Sequence, residues 1–158
     1  MGNLNNKPNP YPRIVLKKGR EISLQRFHPW IFSGAVHSVS ENLKPGDVAE
    51  VFGSQGNYLG TGHFEDGSLA VKIFSFKRAM IDAAFWKQKI EQAFFLRKAL
   101  HLTRNHNTNA YRLVFTEGDG LPGLIIDIYN NVAVFQAQTQ GMFNARNEIT
   151  EALIGVYG

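Results

Sequence analysis

The spacing of the apolar residues changes once along this chain, near residue 80, and this change limits the folds that it can adopt. Before that point, apolar and polar residues alternate in short runs separated by glycines, which is typical of β-strands joined by turns. Beyond it, apolar residues recur at intervals of three and four, as in an amphipathic helix. We therefore predict a mixed α+β fold in which a mostly-β unit is followed by a small α+β unit.

The first predicted unit covers residues 13–76 and contains five or six short strands. Residues 13–24 predict two strands around a Lys-Gly-Arg turn, and later runs predict strands at 48–52, 58–64 and 69–76. Strands of this length and spacing, separated by glycines, indicate a small barrel or sandwich.

The second predicted unit covers residues 77–158 and consists of a helix, a three-stranded sheet and a closing helix. Asp82 can cap the first helix, whose apolar face includes Trp86, Ile90 and Ala93. The strands are expected at 111–117, 124–129 and 132–138, with Asn130-Asn131 as a tight turn, and the closing helix from Met142 onward. Residues 1–12 are polar and proline-rich and are expected to form a flexible tail.

The composition excludes several classes of protein. The sequence contains no cysteine, which rules out disulfide scaffolds, iron–sulfur clusters and thiol catalysis within this chain. The five histidines lack the spacing of metal ligands, so we expect no metal site. No apolar run reaches the roughly 18 residues of a membrane span, and we expect a cytoplasmic protein.

The formal net charge of +4 is distributed unevenly along the chain. Residues 77–109 carry seven Lys/Arg against two Asp/Glu, whereas residues 110–158 carry two against five. Within residues 1–26, six cations face a single acid, Glu21. A polyanion would therefore be attracted first to the N-terminal end and repelled by the C-terminal third.

Aromatic residues are interleaved with the cations of the N-terminal stretch. Phe27, Trp30 and Phe32 follow closely on the basic residues, a mixture suited to phosphate contacts beside stacked bases. The alternative is a solvated hairpin whose aromatic side chains, with Ile31, are buried as core. The sequence leaves both interpretations open.

The segment Gly118–Gly123 satisfies the G-x-G-x-x-G pattern of nucleotide-binding loops. That motif must be followed by a helix, whereas here a β-type run follows and Pro122 removes a backbone donor, so we predict a turn between strands. Glu117, Asp119 and Asp127 suggest a general acid and base, but acids that flank glycines are more often turn-forming residues.

Two groups of motifs resemble a known family. Lys18–Glu21, His28–Val36, Gly46-Asp47 and Tyr58–Gly62 resemble a PUA domain, an RNA-binding pseudobarrel. Tyr111–Leu113 and the run EGDGLPGLIID, Glu117–Asp127, resemble the central domain of S-adenosylmethionine-dependent rRNA methyltransferases of the rRNA large subunit methyltransferase I family. The resemblance covers residues 13–158 and keeps the motifs in the family's order.

This resemblance implies a function in rRNA processing. It implies 23S rRNA as the partner and methyl transfer from S-adenosylmethionine to carbon 5 of a cytosine, a reaction in which a cysteine thiolate attacks carbon 6 of the ring. The family carries that cysteine and the cofactor loop in a third, Rossmann-like domain. Because this chain has neither, we expect an N-terminal fragment without catalytic, cofactor-binding or metal-binding residues.

Candidate site residues follow by position from the resemblance. The expected RNA contacts are Arg13, Lys17, Lys18, Arg20, Arg26 and His28. Glu117 and Asp119 are expected to help position the catalytic domain.

Two alternatives stay open at this stage. The chain could be a stand-alone, non-enzymatic PUA-type RNA-binding or ribosome-associated protein. It could also form a homodimer, since the first helix carries Phe85, Trp86, Phe94 and Phe95, more aromatic residues than one helical stripe needs. Burial on two sides of the helix is the simpler explanation for them.

Overall fold

The fold was determined as a computed structural model that describes residues 11–103 and 105–158. Most of the predicted N-terminal tail, residues 1–10, lies outside these described residues. Tyr11 and Pro12 lie within them and are hydrogen-bonded: the Tyr11 hydroxyl accepts from the backbone N–H of Ile81, and the Pro12 carbonyl accepts from that of Glu50.

The first unit is a curled six-stranded sheet, a half-barrel, with one short helix. Its elements are β1 (Arg13–Leu16), α1 (Ile22–Gln25), β2 (Trp30–Phe32), β3 (Val36–Val39), β4 (Val48–Phe52), β5 (Tyr58–Phe64) and β6 (Leu69–Ser75). The strand order is β2-β6-β5-β4-β1-β3. All pairs are antiparallel except β1 with β4, which run parallel.

A continuous apolar core fills the inner face of this sheet. Fully buried members include Ile14, Leu16, Val51 and Val71. In β1 the buried residues Ile14 and Leu16 are two positions apart, as the predicted strand period requires, whereas β4 and β6 also contain consecutive buried residues.

The predicted hairpin at residues 13–24 is half wrong. Its first strand is β1, but residues 22–25 form the single helical turn α1. Only Leu24 of that turn is buried. The short alternating pattern from Glu21 to Leu24 fits a strand and a helical turn equally well, because one turn contains too few residues to show the helical period.

The second unit packs two helices on one face of a three-stranded antiparallel sheet. It contains α2 (Ala83–Ala99), β7 (Ala110–Phe115), β8 (Leu124–Tyr129), β9 (Val132–Ala137), α3 (Gln140–Asn144) and α4 (Arg146–Tyr157), and the strand order is β7-β8-β9. The Asp82 side chain accepts from the N–H of Phe85 at 3.0 Å, so the predicted cap of α2 is confirmed. The predicted α+β fold class is likewise confirmed.

The closing helix is divided into α3 and α4 at Ala145. Thr139 caps α3 by accepting from the N–H of Met142. Met142 and Ile149 both reach the core from the two sides of the break. The sequence did not reveal this break because Ala145 is a good helix former.

The two units meet at a small aromatic junction. The His63 ring of β5 lies between Phe74 of β6 and Trp86 of α2, with ring centroids 4.7 and 6.1 Å away. Gly141 of α3 packs directly on the His63 ring, where a Cβ would clash. Burial lowers the pKa of His63 to about 4, so the ring is neutral at neutral pH.

Within the described residues, no helix is both long and apolar enough to cross a membrane.

Candidate nucleic-acid interface

Three of the six residues predicted to contact RNA line one open groove of about 710 Å³ on the first unit: Arg20, Arg26 and His28. Trp30 and Phe32 line the same groove, and no lining residue is acidic. We call this surface, defined by these five side chains, the cationic groove. It combines uncompensated positive charge with aromatic rings, the two features that unpaired nucleic acid requires.

The groove is built by the turn that follows β1 and by α1. Gly19 has a φ of +80°, a conformation that favours glycine and reverses the chain before α1. The N–H of Arg26 donates to the carbonyl of Ile22, and that of His28 donates to the carbonyl of Ser23. These bonds close the helical turn over buried Leu24 and leave the basic side chains on its outer side.

The strand β2 supplies the aromatic side of the groove. Ile31 points into the core, whereas Trp30 is 38% exposed and Phe32 53% exposed. Of the two open interpretations, burial as core holds for Ile31 but not for Trp30 and Phe32. The reason is that β2 is an edge strand, paired only with β6, and only one of its faces is covered. The His28 ring contacts Trp30 edge-on at 5.7 Å.

Lys17 and Lys18 lie at the rim of the cationic groove. The Lys17 ammonium donates to the carbonyl of Gly34, a lining residue, at 2.9 Å. Lys18 follows in the exposed turn. Lys17 retains two further N–H donors for an anionic ligand.

Arg13 is not brought to the cationic groove. It lies at the opposite end of β1 from the turn, roughly 13 Å along the strand, and its guanidinium stacks 3.9 Å from the centroid of Phe52. Arg78 approaches the same ring at 5.8 Å. Buried Glu50 lies near both arginines; burial raises the pKa of this carboxyl, and the two cations oppose the shift.

Asp119, one of the two predicted positioning residues, is enclosed within the second unit. Its side chain is 4% exposed and forms a bidentate ion pair with Arg97, in which Nη2 lies 2.7 Å from Oδ2. It also accepts from the N–H of Phe115 at 2.6 Å. Sequence reasoning missed Arg97, although its spacing from Ile90 and Ala93 places it on the buried stripe of α2.

Glu117, the other predicted positioning residue, joins the two units. Its Oε1 accepts from the indole N–H of Trp30 at 2.8 Å. Partial burial would raise the pKa of Glu117, but hydrogen bonds from Thr116, Trp30 and its own backbone N–H, together with the charge of Lys72, lower the pKa. Trp30 and Glu117 are far apart in sequence, and no local pattern signals their contact.

The glycine-rich segment Gly118–Gly123 does not fit a nucleotide or S-adenosylmethionine site. As predicted, it joins two antiparallel strands, β7 and β8, so a strand and not a helix follows the loop. Gly123 has a φ of +85°, and a Cβ there would lie 2.5 Å from Cγ2 of Thr139. Close packing against Thr139 inside the second unit therefore explains why position 123 is a glycine.

Asp127, the third acid considered for catalysis, is paired with Arg112. Arg112 Nε donates to Oδ1 at 2.8 Å and Nη2 to Oδ2 at 3.0 Å. The hydrogen bond from Arg112 lowers the pKa of Asp127, despite the opposing effect of partial burial. Each of the three acids therefore has its own partner, and the structure does not bring them together as an acid–base pair.

Comparison with known proteins finds a matching domain family and several related sequences. The profile of the PUA-like domain family matches residues 14–76. The chain is also 42% identical over 149 residues to ribosomal RNA large subunit methyltransferase I of Shewanella frigidimarina, covering 92% of this chain and 37% of that protein. The corresponding protein of Alteromonas mediterranea is 38% identical over 143 residues, covering 89% and 36% of the two chains.

A solved structure shares the fold. A candidate SAM-dependent methyltransferase from Streptococcus mutans superposes with a TM-score of 0.78 at 22% identity, over 92% of this chain and 38% of that chain. The resemblance predicted from the sequence is confirmed. The chain spans little more than a third of the length of the relatives it matches.

Proposed function

We propose that this chain, which is related to about a third of each ribosomal RNA large subunit methyltransferase it matches, is the RNA-recognition and connecting portion of an S-adenosylmethionine-dependent rRNA methyltransferase. The observation that carries the proposal is the cationic groove. It places Arg20, Arg26 and His28 beside two exposed aromatic rings with no acid among its lining residues.

The chemistry of the groove favours an unpaired RNA segment. Guanidinium groups bind phosphate oxygens through paired N–H donors, and exposed Trp30 and Phe32 offer faces on which splayed bases stack. A-form duplex keeps its bases stacked inside the helix, so it cannot use these rings. Lys17 and Lys18 at the rim supply further phosphate contacts, and exposed Arg13 supplies a separate one away from the groove.

The finer parts of the proposal come from the family resemblance seen in the sequence. We propose 23S rRNA as the partner, carbon 5 of a cytosine as the methylated position and the cytoplasm as the location. Catalytic and cofactor-binding groups are proposed to lie outside this chain, because its sequence has no cysteine and its glycine-rich segment is a strand-joining turn. Glu117 and Asp119 would then position the catalytic domain indirectly, through the loop that they hold against Trp30 and Arg97.

The salt dependence of RNA binding tests the proposed groove. Binding of a fluorescein-labelled single-stranded oligoribonucleotide should weaken with salt, with a slope of about 0.7 in log K per phosphate contact. The double variant Arg20→Gln/Arg26→Gln should reduce the slope by about 1.4. The matched control, Lys87→Gln/Lys98→Gln, removes two exposed cations from α2 and should leave most of the slope intact. An unchanged slope in the arginine variant would refute the groove.

A second candidate function is a stand-alone RNA-binding protein, which the same groove supports equally well. The two proposals differ in what the gene encodes beyond the codon for Gly158: a continuation into a cofactor-binding domain supports the methyltransferase, and a stop codon supports the alternative.

Self-association is proposed through the side of α2 that bears Phe95, since Phe85 and Trp86 are buried whereas Phe95 is exposed. Light scattering on wild type and Phe95→Gln tests it; a monomeric wild type would refute it.

A further inference from the structure

The segment Arg26–Trp30 forms a ridge between two grooves. Arg26 and His28 line the cationic groove, whereas Phe27 and Pro29 line a second groove of about 640 Å³ between the two units. We call the second one the inter-unit groove. Its further lining includes Phe76, Lys77 and Arg78 from the connection between β6 and α2, Gln88 and Lys89 from α2, and Glu117.

Phe27 is an unusual residue at the top of this ridge. Its ring is 71% exposed, and its backbone φ is 61°, in the left-handed region that bulky side chains rarely adopt. The Phe27 ring contacts the Phe76 ring edge-on, with the two ring centroids 5.3 Å apart. A strained backbone that displays an aromatic ring to solvent is the type of feature that clusters at ligand-binding sites.

The charges around Phe27 are complementary to a phosphate backbone. Lys77, Arg78 and Lys89 line the inter-unit groove against one acid, Glu117, whose Oε1 already accepts from Trp30. The Lys89 ammonium is held by the carbonyl of Gly120 at 3.2 Å, so it is fixed at the groove wall. Burial lowers the pKa of Lys89, as expected for a cation set into that wall.

The groove also offers groups that recognise a base edge. The amides of Gln88 and Gln92 line the α2 side and present both donors and acceptors. Together with the Phe27 ring, they provide stacking and hydrogen bonding at one place, which is how single-stranded RNA is read.

We propose that the inter-unit groove takes an unpaired nucleotide of RNA whose base stacks on Phe27, as a continuation of the strand bound in the cationic groove. This inference rests on the proposed function, because the strand must first occupy the cationic groove. The ridge is one residue thick at Phe27, since its neighbours Arg26 and His28 face the other groove. One RNA strand can therefore contact both grooves.

The test uses the full chain and a single-stranded oligoribonucleotide that carries one 2-aminopurine base, whose fluorescence is quenched by stacking. The variant Phe27→Asn removes the ring and introduces a residue that tolerates the left-handed backbone. We expect affinity to fall about fivefold or more and the quenching to be lost for the 2-aminopurine position that reports on Phe27. Phe27→Tyr keeps the ring and should bind like wild type.

Two further variants separate the outcomes. Phe143→Asn removes an exposed ring from α3, outside both grooves, and should leave affinity unchanged. Lys77→Gln should lower the salt slope by about 0.7 if its ammonium contacts a phosphate.

If wild type binds and Arg20→Gln weakens binding, but Phe27→Asn and Lys77→Gln match wild type, the inter-unit groove holds no RNA and the cationic groove still stands. If wild type fails to bind at low salt, both proposals fail.

Discussion

Two arginines of the first unit and two of the second have opposite environments. In the first unit, Arg20 and Arg26 are exposed in a groove without acidic lining residues. In the second unit, Arg97 and Arg112 each form a bidentate pair with an aspartate, Asp119 and Asp127. These two arginines of the first unit are therefore exposed without an acidic partner, whereas these two of the second unit are neutralised by aspartates.

This difference shows how a count of charges along the sequence misleads. Residues 77–109 carry a larger excess of cations than residues 13–76, yet Arg97 is buried in an ion pair and Lys89 donates to a backbone carbonyl. The first unit has a smaller excess, but the described structure leaves its groove cations free of acidic partners. Whether a cation is available to a polyanion depends on its ion pairing and its exposure, not on the net charge of the surrounding sequence.

The largest expected effect comes from breaking the buried pair of the second unit. Arg97→Leu leaves Asp119 enclosed without its cation and should lower the free energy of unfolding by about 3–5 kcal/mol. Lys98→Leu, at the exposed neighbouring position, should change it by less than about 0.5 kcal/mol. Urea denaturation followed by circular dichroism measures both. Equal stability of the two variants would contradict the internal role assigned to Arg97.

The junction between the units is the next most sensitive point. Gly141→Ala places a methyl group against the His63 ring and should cost about 1–3 kcal/mol by overpacking. The control is Gly155→Ala in α4, where nothing lies within 4 Å of the added Cβ; higher helix propensity should stabilise that variant by up to about 1 kcal/mol. Thermal denaturation distinguishes them, and a stabilised Gly141→Ala would show that the units do not pack as described.

A smaller effect is expected at the hydrogen bond that joins the cationic groove to the second unit. Trp30→Phe retains an aromatic ring but removes the indole donor to Glu117, and Glu117→Ala removes the acceptor. A double-mutant cycle in urea should give a coupling free energy of about 1 kcal/mol. Strict additivity of the two substitutions would mean that the bond does not link the units in solution.

The smallest effect is expected at the pair of Arg112 and Asp127, because the Arg112 side chain is open to solvent. The pKa of Asp127 lies below its ordinary value of 3.8 in the folded protein. The pair therefore stabilises the fold above about pH 4, and this contribution is lost as the pH falls through the lowered pKa. The advantage of wild type over Asp127→Asn should shrink on acidification in urea unfolding. In an Arg112→Gln background, the same comparison should show a smaller pH dependence.

Much of the fold could be predicted because local patterns extend over enough residues. The strands β4 and β5 have the predicted bounds, since alternation over five to seven residues distinguishes a strand from a turn. Helix α2 starts at the predicted cap because Asp82 precedes four turns of periodic apolar residues. Asn130 adopts the positive φ expected of a tight turn, at 55°.

The candidate site was only partly predictable. Arg20, Arg26 and His28 lie within nine residues of one another, so the sequence already placed them together. It could not show that Arg13 points elsewhere, that Trp30 and Phe32 are exposed, or that residues 22–25 form a helical turn. Each depends on which face of a short element the neighbouring strands cover.

The sequence by itself determined the order of the two units, the helices and strands with a clear apolar period, and the kinds of side chain in each unit. These follow from residue preferences within a few positions. Only the tertiary structure decided which charges are neutralised and which aromatic rings reach solvent. Arg97 meets Asp119, and Trp30 meets Glu117, across distances in sequence that no local pattern spans. Exposure and pairing are properties of packed surfaces, and those surfaces exist only once the two units have folded against each other.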